Sequence, residues 1–141
     1  MTLIADTGAI YACYDRADRH HAAAKAFLQD LDEKLWIPAL VLAELDHLVG
    51  VRLGEHARAT VIADVLETMT VIPFDHSAAA RAATVADGYG EFPLGLTDAT
   101  LVVHAQDYRT RSLFTVDQRH FRAVKPLWGG DSFRLFPFDA V

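Results

Sequence analysis

Short, mostly apolar runs alternate along this chain with longer stretches of helical composition. The first short run, residues 2–5, is β-like and apolar from Leu3 onward, the pattern of a strand covered on both faces. Residues 34–38 (KLWIP), 70–74 (TVIPF) and 112–116 (SLFTV) repeat that pattern, and 132–138 (SFRLFPF) is a candidate last strand. Between them the spacing predicts helices over 18–31, 39–54, 55–69, 76–90 and 98–108. Asp18 and Asp75 stand where N-caps belong, Pro38 precedes one helix start, and Gly88-Tyr89-Gly90 breaks another helix. Residues 91–96 read as a loop, and 117–121 turn away from the fourth strand. Strands alternating with helices in this order imply an α/β domain around a short, mainly parallel sheet.

Length makes one domain over 1–141 the economical expectation for a chain of 15.5 kDa. The single cysteine, Cys13, forbids an intrachain disulfide and fits a reducing setting. No basic leader precedes an apolar core at the start, and no apolar run approaches the length of a membrane helix. A cytoplasmic location without membrane association is expected. The net charge of −6 argues against a simple nucleic-acid coat, but it is unevenly spread. Residues 1–100 carry a balance of −8 and residues 101–141 one of +2. A basic C-terminal third can face a polyanion while acids elsewhere do other work.

Four acids stand in apolar surroundings. Asp6 and Asp117 each end a predicted strand, and in an open parallel sheet the crevice beyond the strand ends is where ligands bind. Glu44 has Leu40, Val41 and Leu48 among its helical neighbours, which puts it on the stripe expected to pack inward. Asp98 sits likewise among Leu94, Leu101 and Val102. Each acid has an ordinary reading by itself. Asp6 can cap the next helix, Asp98 can serve a helix dipole, Glu44 can pair with Arg52 or Arg58, and Asp117 can close an Asx turn. One site at the sheet edge accounts for all four together. Such a cluster calls for cations, and hard oxygen ligands select Mg²⁺ or Mn²⁺, one or two ions, which can activate water against a phosphodiester. Thr7 and Gly8 read as a tight turn that leaves the Asp6 carboxylate facing such an ion. The histidines have no zinc spacing, and Trp36 and Trp128 are read as core residues.

Three stretches also carry a family resemblance: LIADTGAIYA at the start, IPALVLAELDHLV over 37–49, and GLTDATLVVHA over 95–105 followed by LFTVDQRHF. In that order the chain resembles the PIN-domain ribonucleases, specifically the VapC toxins of VapBC toxin–antitoxin pairs. The resemblance implies a three-layer α/β/α sandwich and metal-dependent endonucleolytic cleavage of RNA. It makes Asp6, Glu44, Asp98 and Asp117 the acidic metal site, with Thr7 supporting the metal or its water. Asp117 is the position that varies in the family. Arg119 and His120 beside it are candidates for substrate-phosphate contact. A cognate VapB-type antitoxin is the implied partner, and the apolar helices over 39–69 offer a surface for it or for a homodimer. The alternative is a catalytically silent PIN-like module that binds RNA or protein and keeps a structural cation. A haloacid-dehalogenase-type phosphatase needs a second Asp two residues after Asp6, where Gly8 stands, and the paired acids and late Lys of a response-regulator receiver do not match.

Overall fold

The computed structural model describes residues 1–139. Five parallel strands form one sheet: β1 (Leu3–Ala5), β2 (Leu35–Pro38), β3 (Met69–Ile72), β4 (Ser112–Phe114) and β5 (Arg134–Phe136). Their order across the sheet is β3-β2-β1-β4-β5. Leu3 pairs with Leu35, Ile4 with both Trp36 and Leu113, and Ala5 with Phe114. Every residue of β1 and β4 is buried, Ser112 included, as expected of central strands covered on both faces.

Seven helices flank the sheet in a three-layer α/β/α arrangement: α1 (Thr7–Tyr14), α2 (His21–Asp30), α3 (Ala39–Leu53), α4 (Glu55–Thr68), α5 (His76–Gly88), α6 (Leu96–Asp107) and the single turn α7 (Gln118–Phe121). The expected strands and long helices are all present. The strands are shorter than the apolar runs: β1 and β2 begin one residue later than expected, and β3, β4 and β5 stop two residues short of the expected carboxyl ends. Asp75 caps α5 as expected, its side chain accepting from the Ala78 amide at 2.8 Å. Asp18 does not begin α2. It accepts from the His20 amide in a turn, and the helix starts at His21.

Behind β4 and β5, Phe27 of α2 stacks between Phe114 at 5.5 Å and Phe136 at 5.3 Å. The buried faces of α3 (Val41, Leu45, Val49) and α6 (Leu101, Val102, Val103, Ala105) complete the core. Trp36 is half-buried against Tyr108, with ring centroids 5.0 Å apart. Trp128, by contrast, is 42% exposed, so only one of the two tryptophans packs inward. His104 lies fully inside α6, and burial lowers its pKa.

The sheet changes direction at β1: the chain first builds outward through β2 and β3, then returns to the other side of β1 with β4 and β5. Strand ends on either side of that point diverge and leave a crevice. The Asp6 amide donates to the Phe114 carbonyl at 2.8 Å, so the ladder between β1 and β4 continues into the segments that form the crevice.

Thr7 and Gly8 are not a turn. They are the first two residues of α1, which begins directly after Asp6. The glycine is required by a close approach: a Cβ at Gly8 would stand 3.0 Å from Val116 Cγ2. Gly8→Val should therefore cost about 2 kcal/mol through overpacking of a stiff β-branched neighbour. Pairing it with Val116→Ala should restore part of that loss, as read from urea unfolding midpoints.

Candidate functional site

Asp6 is the N-cap of α1. Its Oδ1 accepts from the Thr7 amide at 2.8 Å, and its Oδ2 accepts from the Thr115 hydroxyl at 2.8 Å. The same Thr115 oxygen accepts from the Asp117 amide at 3.0 Å. One buried hydroxyl thus ties the acid after β1 to the acid after β4. Capping and site membership are not alternatives for Asp6; the cap bond uses one carboxylate oxygen and aims the group into the crevice.

Asp117 is itself the N-cap of α7, its Oδ1 accepting from the His120 amide at 3.0 Å. Its Oδ2 lies 2.8 Å from His120 Nδ1, and His120 Nε2 lies 2.9 Å from the Pro93 carbonyl. Both ring nitrogens face acceptors, an arrangement satisfied fully by an imidazolium. Partial burial opposes that charge, but the Asp117 hydrogen bond and the nearby Asp117 and Asp98 carboxylates outweigh it and raise the His120 pKa. His120 therefore clips α7 to the 91–96 loop that leads into α6.

Asp98 lies in the first turn of α6, half-buried. Ligand atoms of Asp98, Asp117 and His120 all fall within 4.8 Å of one another. Burial raises the Asp98 pKa, partly offset by His120 and reinforced by Asp117 and Glu44. Glu44 thus acts electrostatically on the site, but not from a buried stripe. It is exposed, and the inward stripe of α3 is Val41, Leu45 and Val49, so Glu44 stands at the solvent-facing rim. Its two suggested cations are occupied elsewhere: Arg52 stacks on Tyr11, and Arg58 pairs with Asp46 and Glu55. Arg119 is exposed beside the cluster.

Asp6 bears the strongest field. Its carboxyl is pushed up to about 7, first by burial, then by Asp98 and Asp117, against the lowering effect of the Thr115 and Thr7 hydrogen bonds. The Thr7 hydroxyl beside it is buried without a partner. An orphan hydroxyl, an acid whose pKa is raised by burial and then by neighbouring acids, and a donor set made mainly of carboxylate oxygens all fit a hard divalent cation and its water.

Thr115 was not singled out by the sequence, although its signal was there: a hydroxyl two residues before an acid at a strand's carboxyl end is a local turn motif.

With this geometry in view, the PIN domain pattern matches residues 3–126. The chain belongs to the PIN domain family. It is 35% identical over 136 residues to a protein named ribonuclease VapC26 from Mycobacterium tuberculosis, covering 96% of this chain and all of that one. The structure resembles that of M. tuberculosis VapC20, described as a sarcin-ricin loop cleaving toxin, with a TM-score of 0.77 at 19% identity over 83% of this chain and 91% of that one. It also resembles VapBC2 from Rickettsia felis, solved bound to a DNA fragment from its promoter, with a TM-score of 0.69 at 15% identity over 96% of this chain and 99% of that one.

The raised pKa of Asp6 has a definite sign in stability. Below about 3.8 both folded and unfolded states hold the proton, and between there and about 7 only the folded state does. Stability is therefore lost as pH rises through that window. The full gap corresponds to an upper bound of about 4 kcal/mol. Asp6→Asn keeps the Thr7 bond but mismatches the Thr115 hydroxyl, so a metal-free gain of about 1–3 kcal/mol at pH 8 is expected. The gain should vanish near pH 4, as measured by chemical denaturation in EDTA.

Proposed function

We propose that this chain, as one PIN domain over 1–141, is a divalent-metal-dependent endoribonuclease toxin, Mg²⁺ or Mn²⁺ serving as the ion. The observation that carries the reading is the convergence of Asp6, Asp98 and Asp117, with Glu44 at the rim, on one crevice at the sheet's switch point. Kinship at 35% with a ribonuclease over nearly the whole chain supports the substrate class.

When bound, one or two ions supply a polarised phosphoryl oxygen and an acidified water. The residues do the rest. Asp6, locked by Thr7 and Thr115, presents one fixed carboxylate at the crevice floor. Asp98 and Asp117 supply the wall oxygens, and the Thr7 hydroxyl is available to a coordinated water. Glu44, on the open side, orients the attacking water and takes its proton. In-line attack forms the new O–P bond and breaks the P–O3′ bond, and the departing O3′ takes a proton from solvent, leaving a 5′-phosphate and a 3′-hydroxyl.

In this arrangement His120 holds Asp117 and the 91–96 loop, and Arg119 is the freer group for a substrate phosphate. Among the described residues no helix is long and apolar enough to cross a membrane, and we place the protein in the cytoplasm with its RNA. A VapB-type antitoxin is the proposed restraint. The exposed Val51, Leu53 and Leu66 on α3 and α4 are the surface offered to it or to a second copy.

Asp6→Ala and Asp98→Ala should each lower RNA cleavage by about a hundredfold or more, as expected for groups acting directly on the reacting water or its ion. EDTA should abolish cleavage, and added Mg²⁺ or Mn²⁺ should restore it. Cleavage of total RNA by both variants at the wild-type rate would sink the site assignment. RNA binding without cleavage by the wild type, with metal supplied, would favour the catalytically silent module.

A further inference from the structure

Outside the acidic crevice, a second concavity lies between the end of α5 and the segment after α7. It is lined by Thr84, Val85, Gly88, Tyr89, Lys125 and Leu127 and holds about 460 Å³. Its walls are largely apolar, and Leu127 and the adjoining Trp128 remain 48% and 42% exposed. Lys125 is exposed and makes no ion pair among the described residues.

A chain of contacts links the cleft to the acidic site. The Lys125 amide donates to the Tyr89 hydroxyl at 2.9 Å. The Tyr89 ring lies 6.2 Å from Phe92, and Phe92 meets His120 edge-on at 5.4 Å. His120 in turn holds Asp117. A row of rings therefore leads from the candidate catalytic acids to the cleft, with Lys125 of the basic C-terminal third at its far end.

Apolar and aromatic walls next to a free ammonium are what single-stranded nucleic acid requires: a face for the base and a cation for the phosphate. We propose that this cleft is a base-binding subsite, taking an unpaired base of the RNA strand on Val85, Tyr89 and Leu127 while Lys125 meets the adjacent phosphate. The inference rests on the ribonuclease reading and names how that site selects single-stranded substrate. An acidic or apolar protein segment fits less well, because the row of rings leads to the site of phosphodiester chemistry and an acidic segment would meet Asp117 and Asp98 at its end.

The test uses a fluorescein-labelled single-stranded RNA and four proteins: wild type, Lys125→Ala, Leu127→Ser, and Lys25→Ala as an exposed charge control on α2. Cleavage kinetics are measured with Mn²⁺, and affinity is measured by anisotropy in an Asp98→Asn background. Lys125→Ala and Leu127→Ser should each weaken RNA binding about fivefold to tenfold, the range for losing one phosphate or base contact. Each should raise KM with kcat nearly unchanged, and Lys125→Ala should also flatten the log–log salt dependence by about 0.7. Lys25→Ala should change neither affinity nor KM. Wild-type affinity, KM and salt slope in both cleft variants, while the wild type still cleaves, would overturn the subsite and leave the ribonuclease reading standing. Retained RNA affinity with weakened self-association or antitoxin binding would reassign the cleft to a protein and overturn it too. A wild type that neither binds nor cleaves RNA would remove both readings together.

Discussion

The hydroxyl of Thr115 is the joint on which the site depends. It donates to Asp6 and accepts from the Asp117 amide, so one atom sets the relative position of acids that stand 111 residues apart in the chain. Without it, the two strand ends would still be neighbours through the sheet, but nothing polar would hold their carboxylates to a common point. Thr115 is wholly buried, so both of its bonds are made in a low-dielectric setting where a polar group must be satisfied. The cap bonds at Thr7 and His120 then fix the remaining degree of freedom of each acid.

Fixing like charges together has an energetic cost. Asp6 meets burial, Asp98 and Asp117 at once, and its proton is retained far above the usual carboxylate range. A fold that only needed a helix cap at residue 6 would gain nothing from keeping two more acids nearby, since the Thr7 bond alone satisfies the helix end. A divalent cation bound there, as proposed, would reverse the sign of the local field and offset that cost. The imidazole of His120 already supplies a partial version of that reversal for Asp98 and Asp117. It makes no hydrogen bond to Asp6, whose pKa is raised first by its own burial and then by Asp98 and Asp117.

Much of this was legible in the sequence, and the failures have physical causes. Strand and helix order followed from the alternation of apolar runs with periodic segments, because central parallel strands covered on both faces are mostly apolar. Asp6 and Asp117 were legible as strand-end acids. Glu44 was reached by a mistaken step: hydrophobic neighbours at helical spacing suggested burial, yet the inward face of α3 is set by Val41, Leu45 and Val49, and Glu44 falls just outside it. The turn expected at Thr7-Gly8 is a helix start, since glycine there answers to the proximity of Val116 rather than to backbone freedom. The exposure of Trp128 and the burial of His104 could not be read at all, because each depends on where an irregular loop or a helix pair settles in three dimensions.

Charge distribution ties the two halves of the molecule together. An acidic crevice alone repels a polyanion, so a substrate strand has to be held by something other than the catalytic acids. The cations available for that lie in the last third of the chain, and several are already committed: Arg122 pairs with Asp139, and Arg111 packs under Gly129 and Gly130. Arg119 and Lys125 remain on the surface, one beside Asp117 and the other at the far end of the row formed by His120, Phe92 and Tyr89. Two cations flanking a row of rings that starts at the acids define a direction across the surface. A strand laid along it would place one phosphate over the acids and the next bases against apolar walls, which is how a protein of net negative charge can hold a nucleic acid.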